Sequence, residues 1–338
     1  MSQPAELPPP ARMLQMITGH WISQTVAALA RLAIPDAVAE LQLTSSEIAA
    51  KCGSHADATY RLLRTATGLG LFVEVTPDVF RLTPLGATLR SNVPESMRDL
   101  AIAETDQGHW LAWGKLSDSI RTGERGAPKA LGKELFEWYR EHPQDAATFG
   151  GAMSGLAAMV AGEVATACNF TKAKTIVDIG GSHGTLLATV LRNHTHLSGI
   201  VFDLPDVTDR ARSNLDAAGL ASRVEAVGGD FFIDVPAGDI YLLKQVLHDW
   251  NDEQCKIILS HCAKRMTDGG RVCIVEMVIP DDNSPSMASM MDLNMLVMLP
   301  GRERSLREYR SLLESAGLKF ERLIQTHSPF QIVEAAKK

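Results

Sequence analysis

The chain is poor in cysteine, in excess positive charge and in uninterrupted apolar runs. Its five cysteines (Cys52, Cys168, Cys255, Cys262 and Cys273) are odd in number and scattered through 338 residues, and no secretory signal is expected before them. That excludes a disulfide framework and predicts free thiols in a reducing cytoplasm. Cys255, His261 and Cys262 are metal-like in type but fall within one helical pattern and lack a second ligand pair, so no metal site is expected. The net charge of −7 argues against nucleic acid or an anionic membrane as partner. Ala11 to Ile34 is strongly apolar, yet Arg12, His20, Gln24 and Arg31 interrupt it, which a spanning helix tolerates poorly. No internal repeat is visible.

What is present describes an ordinary globular chain, 45% hydrophobic and 22% charged, long enough for two domains. The proline-rich opening MSQPAELPPP is expected to be disordered. Beyond it, Met13, Ile17, Trp21, Ile22, Val26 and Leu29 recur at helical spacing and predict one long helix with a broad apolar face. Such a face at a chain end predicts packing on a second subunit, and hence a homodimer.

Thr44 and Glu47 are spaced as a capping box for a short helix, and a second helix is predicted over 57–68. Phe72 to Val75, a turn at Pro77-Asp78 and Val79 to Leu82 then read as a hairpin. Helix, helix, hairpin is a winged-helix pattern. Residues 1–100 hold 8 Lys/Arg against 9 Asp/Glu, so a DNA-recognition helix would lack its basic face. Glu95 to Gly123 reads as continuing helix, with His109, Trp110 and Trp113 either core or pocket wall. Residues 128–132 read as loop, residues 134–139 as helix, and 144–168 as a long helix carrying Phe149 and Met153 that bridges two domains.

The stretch KTIVDIGGSHGTLLATVLR, Lys174 to Arg192, organises the rest: a β-branched strand, a glycine turn and a helix. Backbone N–H groups and a helix N-terminus then face the mouth of a parallel sheet. The dinucleotide spacing G-x-G-x-x-G does not fit, because from Gly180 its second and third glycines are Ser182 and Thr185. A pyrophosphate ligand is disfavoured. An acidic Asp178 before Gly180-Gly181 suits a cofactor with a cationic amino-acid tail, such as S-adenosylmethionine.

Short apolar strands alternate with helices from here on, at 176–179, 199–203, 224–227, 240–243 and 272–276, with a closing pair at 320–325 and 331–333. This predicts an α/β domain with a mostly parallel sheet. Asp203 ends the second strand, where a carboxylate can take both ribose hydroxyls of an adenosine cofactor. Asp230 and Phe231 follow the third, where one can accept from an adenine amino group while the other covers the ring.

The segments VDIGGSHG, VFDLPDV, GGDFF, LLKQVLHDWND, VCIVEMVIP and PGRERSLREYRSLLESAGL occur in that order. In them the chain resembles the class I S-adenosylmethionine-dependent O-methyltransferases of the caffeic acid and hydroxyindole type, which include bacterial enzymes acting on polyketides and phenazines. The resemblance implies a winged-helix-like dimerisation domain over 11–100, a helical bridge over 101–160 that contributes to the substrate pocket, and a Rossmann-like α/β methyltransferase domain over 161–338. It implies that Gly180, Asp203, Asp230, Phe231 and Lys244 contact the cofactor. It makes His248 the general base, flanked by Glu276 and Glu303. His109, Trp113, Phe149, Met153, Asp249 and Met295 are expected to face an aromatic acceptor.

The chemistry suits these residue types. A phenol, with a pKa of about 10, is a poor nucleophile at neutral pH. A histidine can take its proton as the oxygen attacks, with a carboxylate on the far ring nitrogen fixing the tautomer, the role expected of Glu303. The alternative for His248 is a capping or core histidine. Met287, Met291, Met295 and Met298 form a stripe that is either core or a flexible apolar wall for a flat acceptor. Two departures from the family stand out. Ser182 replaces the third glycine of the turn and is expected to be tolerated. Met298-Leu299 stands where plant members place a polar residue, which argues against phenylpropanoid acceptors. Other readings are N- or C-methylation, a non-methylating reaction with the same cofactor, or a binding protein without turnover.

Overall fold

The computed structural model describes residues 7–282 and 284–338. The chain divides into two units, one holding the chain up to Asp106 with Ala147–Gly155, the other Gln107–Ala146 with Leu156–Lys338.

In the first unit the apolar stretch is two helices, Pro9–Ile17 and Gly19–Arg31, where the sequence predicts one. The break is local: the Thr18 hydroxyl donates to Leu14 O at 2.8 Å, and Gly19 follows. Pro9 and Pro10 open the first helix, where proline is tolerated because the first N–H groups lack partners anyway. Disorder was expected for these prolines. For residues 1–6 the same expectation lies outside the described residues. Met13, Ile17, Trp21 and Ile22 are at least half exposed.

The Thr44–Glu47 capping box forms on helix Ser45–Cys52. Helix Ala56–Gly68 follows. Strands Phe72–Thr76 and Val79–Leu82 make a hairpin that Leu43–Thr44 extends to three strands. Leu29, Ile34, Ile48, Leu63, Phe72 and Phe80 form the core of this winged-helix-like unit.

The second unit begins with short helices. The predicted continuous helix from Glu95 breaks into Arg98–Ala103 (still in the first unit), Gln107–Trp113 and Leu116–Thr122. Gly114 lies at the second break, where its lack of a side chain favours a helix end. Residues expected as loop form helix Gly126–Leu131 instead. Pro128 falls in its first turn, where its missing N–H costs no hydrogen bond, and Gly132 closes it with φ of 74°. Helix Pro143–Ala167 forms close to the predicted 144–168, with its Ala147–Gly155 stretch belonging to the first unit.

A seven-stranded sheet follows: β1 (Thr175–Ile179), β2 (Ser198–Asp203), β3 (Val224–Gly228), β4 (Gly238–Lys244), β5 (Met266–Glu276), β6 (Leu318–Gln325) and β7 (Gln331–Lys337). Its spatial order is β3-β2-β1-β4-β5-β7-β6, with β7 antiparallel to both neighbours. β1 and β4 are near-continuous apolar runs because helices cover both faces of a parallel sheet. The strand order reverses between β1 and β4, the crevice at which doubly wound folds bind ligands.

Candidate active site

All five parallel strands deliver their carboxyl ends to one edge of the sheet. β1 runs into Gly180, which has φ of 62° and whose added Cβ would meet a Val246 methyl at 2.9 Å. Only glycine lets the turn lie this close to the segment leaving β4. Ser182 also adopts a left-handed φ, 48°, so the departure from the family's glycine carries backbone strain. Its N–H donates to Asp203 Oδ2 at 2.8 Å, and Leu204 N–H donates to Oδ1 at 2.7 Å. Burial raises the Asp203 carboxyl above its usual range despite these two donors. Asp178 is buried with one oxygen unpartnered; burial and the neighbouring Asp203 push it up to about 7.

Asp230 is exposed beyond β3, and Oδ1 accepts from Phe232 N–H at 2.8 Å. Phe231 lies edge-on to Phe232 and Trp250. Lys244 ends β4 with its ammonium on Gln245 Oε1 and 5.1 Å from the Phe330 ring centroid. Burial lowers its pKa to about 8, against the attraction of Glu276, Asp178 and Asp249.

Past Lys244, Gln245 turns the chain out of the sheet with φ of 51°. His248 then sits in the 3-10 turn Leu247–Asp249, buried. Its Nδ1 is 2.6 Å from Glu303 Oε1 and 3.7 Å from Glu276 Oε2, and Nε2 is 3.3 Å from Asp249 Oδ1. Burial opposes the imidazolium, but Glu276, Asp249 and Glu303 outweigh it and hold the ring up to about 10. Burial in turn raises Glu276 to about 7. Its Oε1 accepts from the N–H groups of Val246 and Leu247, each at 3.1 Å. The register puts it there: Lys244 pairs with Val275, so the next residue of β5 meets the start of the turn.

Among the described residues, His248, Glu276 and Glu303 are close enough to share a cation, their ligand atoms lying within 4.8 Å of one another. The Nδ1–Oε1 spacing is that of a charge-assisted hydrogen bond and leaves no room for an ion between the two atoms.

Glu303 reaches the ring because Gly301 packs on the turn; an added Cβ there would sit 1.8 Å from His248 O. Asp292 Oδ1 accepts from Glu303 N–H at 3.0 Å and ties this segment to helix Met287–Met298. On that helix Met295 and Met298 are buried while Met287 is exposed, so the methionine stripe is not uniformly core. Trp113 donates to Asn294 Oδ1 at 2.8 Å, a partner the sequence reading missed because Asn294 hides within the methionines. His109 is buried in the second unit, whereas Phe149 and Met153 belong to the first. Arg304, quoted in the sequence motif but given no role, is fully buried. A cleft of about 550 Å³ lined by Arg125, Lys129, Leu296, Leu299 and Pro300 holds none of the strand-end residues.

The family model of the O-methyltransferase domain matches residues 113–319, and that of the O-methyltransferase dimerisation domain matches 14–92. The chain belongs to the S-adenosylmethionine-dependent O-methyltransferases. Among its relatives, the phenazine O-methyltransferase PhzM of Lysobacter antibioticus is 40% identical over 96% of this chain and 95% of its own. The solved structure of LaPhzM matches with a TM-score of 0.92 at 39% identity, covering 98% of this chain and 100% of that one. NcsB1, an O-methyltransferase from neocarzinostatin biosynthesis solved with S-adenosylmethionine and 2-hydroxy-5-methyl naphthoic acid, matches with a TM-score of 0.74 at 33% identity, covering 94% and 96%. The methyltransferase fold and the cofactor expected from the sequence are thereby borne out. Among the described residues no helix is long and apolar enough to cross a membrane.

The crevice fits the cofactor chemically. It offers carboxylates at the ends of β2 and β3, an aromatic ring beside the second, an unpartnered buried Asp178 oxygen and a turn without the phosphate-binding glycine spacing.

Proposed function

We propose that this methyltransferase alkylates a hydroxyl on an aromatic small molecule of secondary metabolism, with His248 as general base. The observation that carries the reading is the buried Nδ1–Glu303 contact of 2.6 Å. It assigns the proton of the neutral ring to Nδ1 and leaves Nε2 as the basic atom. S-adenosylmethionine supplies an electrophilic methyl on a sulfonium sulfur. His248 Nε2 accepts the hydroxyl proton as the oxygen becomes the nucleophile, and Glu303 stabilises the imidazolium that results. Glu276 holds the main chain of the turn through its N–H groups. Asp249, beside Nε2, keeps the ring's affinity for the proton high.

Gly180, Asp203, Asp230, Phe231 and Lys244 hold the cofactor. Asp203 suits paired ribose hydroxyls, since its backbone donors leave lone pairs on both oxygens. His109, Trp113, Phe149, Met153, Asp249 and Met295 serve the acceptor, with Asn294 fixing Trp113. A domain reading and a compartment reading go with this one. Residues 11–100 form the dimerisation domain of a homodimer, 101–160 the bridge and 161–338 the catalytic domain. Five free thiols fit a reducing cytoplasm.

The test is a methyl-transfer screen of hydroxyphenazines, hydroxynaphthoates and other phenols, read by a mass shift and repeated with His248→Ala. The variant is expected to lose about 10²–10⁴-fold in turnover on the best phenol while binding the cofactor normally. Wild-type turnover in the variant, or product methylated only on nitrogen, would replace this reading with one in which alignment alone suffices.

A further inference from the structure

We infer that Arg304 is a positioning residue for methyl transfer: it grips the main chain on both sides of His248 and so sets where the imidazole points. The inference rests on the base assignment above.

Arg304 is 0% exposed. Its guanidinium donates to Leu247 O at 2.9 Å and to Trp250 O at 2.8 Å, the carbonyls that bracket His248 and Asp249. It also donates to Asp252 Oδ1 from Nε at 2.9 Å and from Nη2 at 2.8 Å, and to Arg302 O at 3.3 Å. These contacts use all five of its N–H donors, and no lysine can reproduce them from a single nitrogen.

On the opposite side of the same turn, Glu276 Oε1 accepts from Val246 and Leu247 N–H. The turn is thus held between a buried carboxyl oxygen on its N–H groups and a buried cation on its carbonyls. Consecutive residues of one segment act on His248 in different ways, Glu303 on the ring and Arg304 on the backbone. That segment is anchored in turn by a short parallel pairing, Arg304 with Val278 and Ser305 with Ile279, just beyond Glu276 on β5. A slip of the turn therefore moves the ring relative to Glu303, and shifts of about 1 Å at a reacting group cost on the order of 10²-fold in rate. A buried arginine kept only for stability has no reason to act on the pH dependence of the base. His248 faces Glu276 from β5, Glu303 from the following segment and Asp249 from its own turn, and loosening the turn changes these distances first.

The experiment compares Arg304→Lys, Asp252→Asn, His248→Gln and the Arg304→Lys/His248→Gln double variant. Asp252 is half exposed and accepts twice from the guanidinium, so Asp252→Asn weakens the anchor of Arg304 while keeping an amide oxygen as acceptor, and it serves as the second variant if the lysine variant folds poorly. Cofactor affinity, kcat and the pH profile of kcat/KM on one phenolic acceptor are measured for each. Arg304→Lys is expected to lower kcat by about 10- to 100-fold, with cofactor Kd within about twofold and the acid limb of the profile moved to lower pH. Asp252→Asn should move the same limb in the same direction by less. In the double variant the arginine change should add almost nothing to the loss from His248→Gln. Multiplicative losses, or an unmoved acid limb in both Arg304→Lys and Asp252→Asn, would overturn the inference and leave Arg304 a packing residue. If His248→Gln alone keeps the wild-type rate, the base assignment fails instead.

Discussion

Glu303→Gln isolates what one carboxylate does for the imidazole. The amide has nearly the shape of the carboxylate, and its oxygen can still accept from Nδ1, so the tautomer is retained and only the charge is lost. The contact is 2.6 Å long between two buried side chains. A hydrogen bond to a charged group contributes about 1.5–3 kcal/mol and a neutral one about 0.5–1.5, so the imidazolium loses roughly 1–1.5 kcal/mol. That corresponds to about one pKa unit. His248 is held up to about 10 against burial by Glu276, Asp249 and Glu303 together, so removing one of the three lowers it. The catalytic form is the neutral ring, and kcat/KM therefore rises with pH through the pKa of His248. In the variant this limb should move about one unit to lower pH. The imidazolium formed in the transition state loses the same stabilisation, so the plateau should fall by about tenfold. The assay is kcat/KM across the alkaline range by mass-detected methylation. Two acceptors of different phenol pKa are used, so that a limb belonging to the acceptor moves with the acceptor and the enzyme's does not. A limb that stays in place or moves upward would refute the assignment of Glu303 as the partner that holds the imidazolium.

Other consequences can be checked separately. Asp203→Asn keeps an acceptor for a backbone N–H but removes the charge, and should weaken cofactor affinity about tenfold by calorimetry, through the loss of charge-assisted hydrogen bonds of about 1.5–3 kcal/mol; unchanged affinity would remove Asp203 from the cofactor site. Ser182→Gly relieves a left-handed φ worth about 1–2 kcal/mol against a chain-entropy cost of about 0.5–1, so Tm should stay level or rise slightly, and a clear fall would show that the hydroxyl matters. Asp178 and Glu276, each raised to about 7, and His248, raised to about 10, hold protons when folded that they release on unfolding above their ordinary pKa values. The stability these protons provide is lost as pH rises, so Tm of the cofactor-free protein should fall between pH 6 and 8, and a rising Tm would contradict the burial of these groups. Ile17→Glu with Trp21→Glu alters only exposed positions; light scattering should drop from twice the 36.7 kDa chain mass to once, and an unchanged dimer would put the interface elsewhere.

Features that depend on near neighbours along the chain are legible from the residues alone. The glycine turn after β1, the capping box at Thr44–Glu47, the hairpin about Pro77-Asp78 and the period of each strand are set by residues a few positions apart, and all of these form. Helix continuity was less legible. Thr18 and Gly114 end helices whose apolar spacing runs on past them, because periodicity reports which face is buried and not whether the backbone ladder is intact.

The candidate site, by contrast, is assembled by contacts between distant parts of the chain. Glu303 is 55 residues from the imidazole it holds, and Glu276 is 28 residues from the N–H it faces. Their meeting depends on the β4–β5 register and on the short Val278–Arg304 pairing. Nothing local in GRER shows that one charged residue grips a ring while the next grips the carbonyls of the same turn. The motif alone gives Arg304 no role. The side chain becomes buried because the loop after helix Met287–Met298 wraps the turn after β4, with Gly301 against His248 O, and carries the guanidinium to the carbonyls of Leu247 and Trp250.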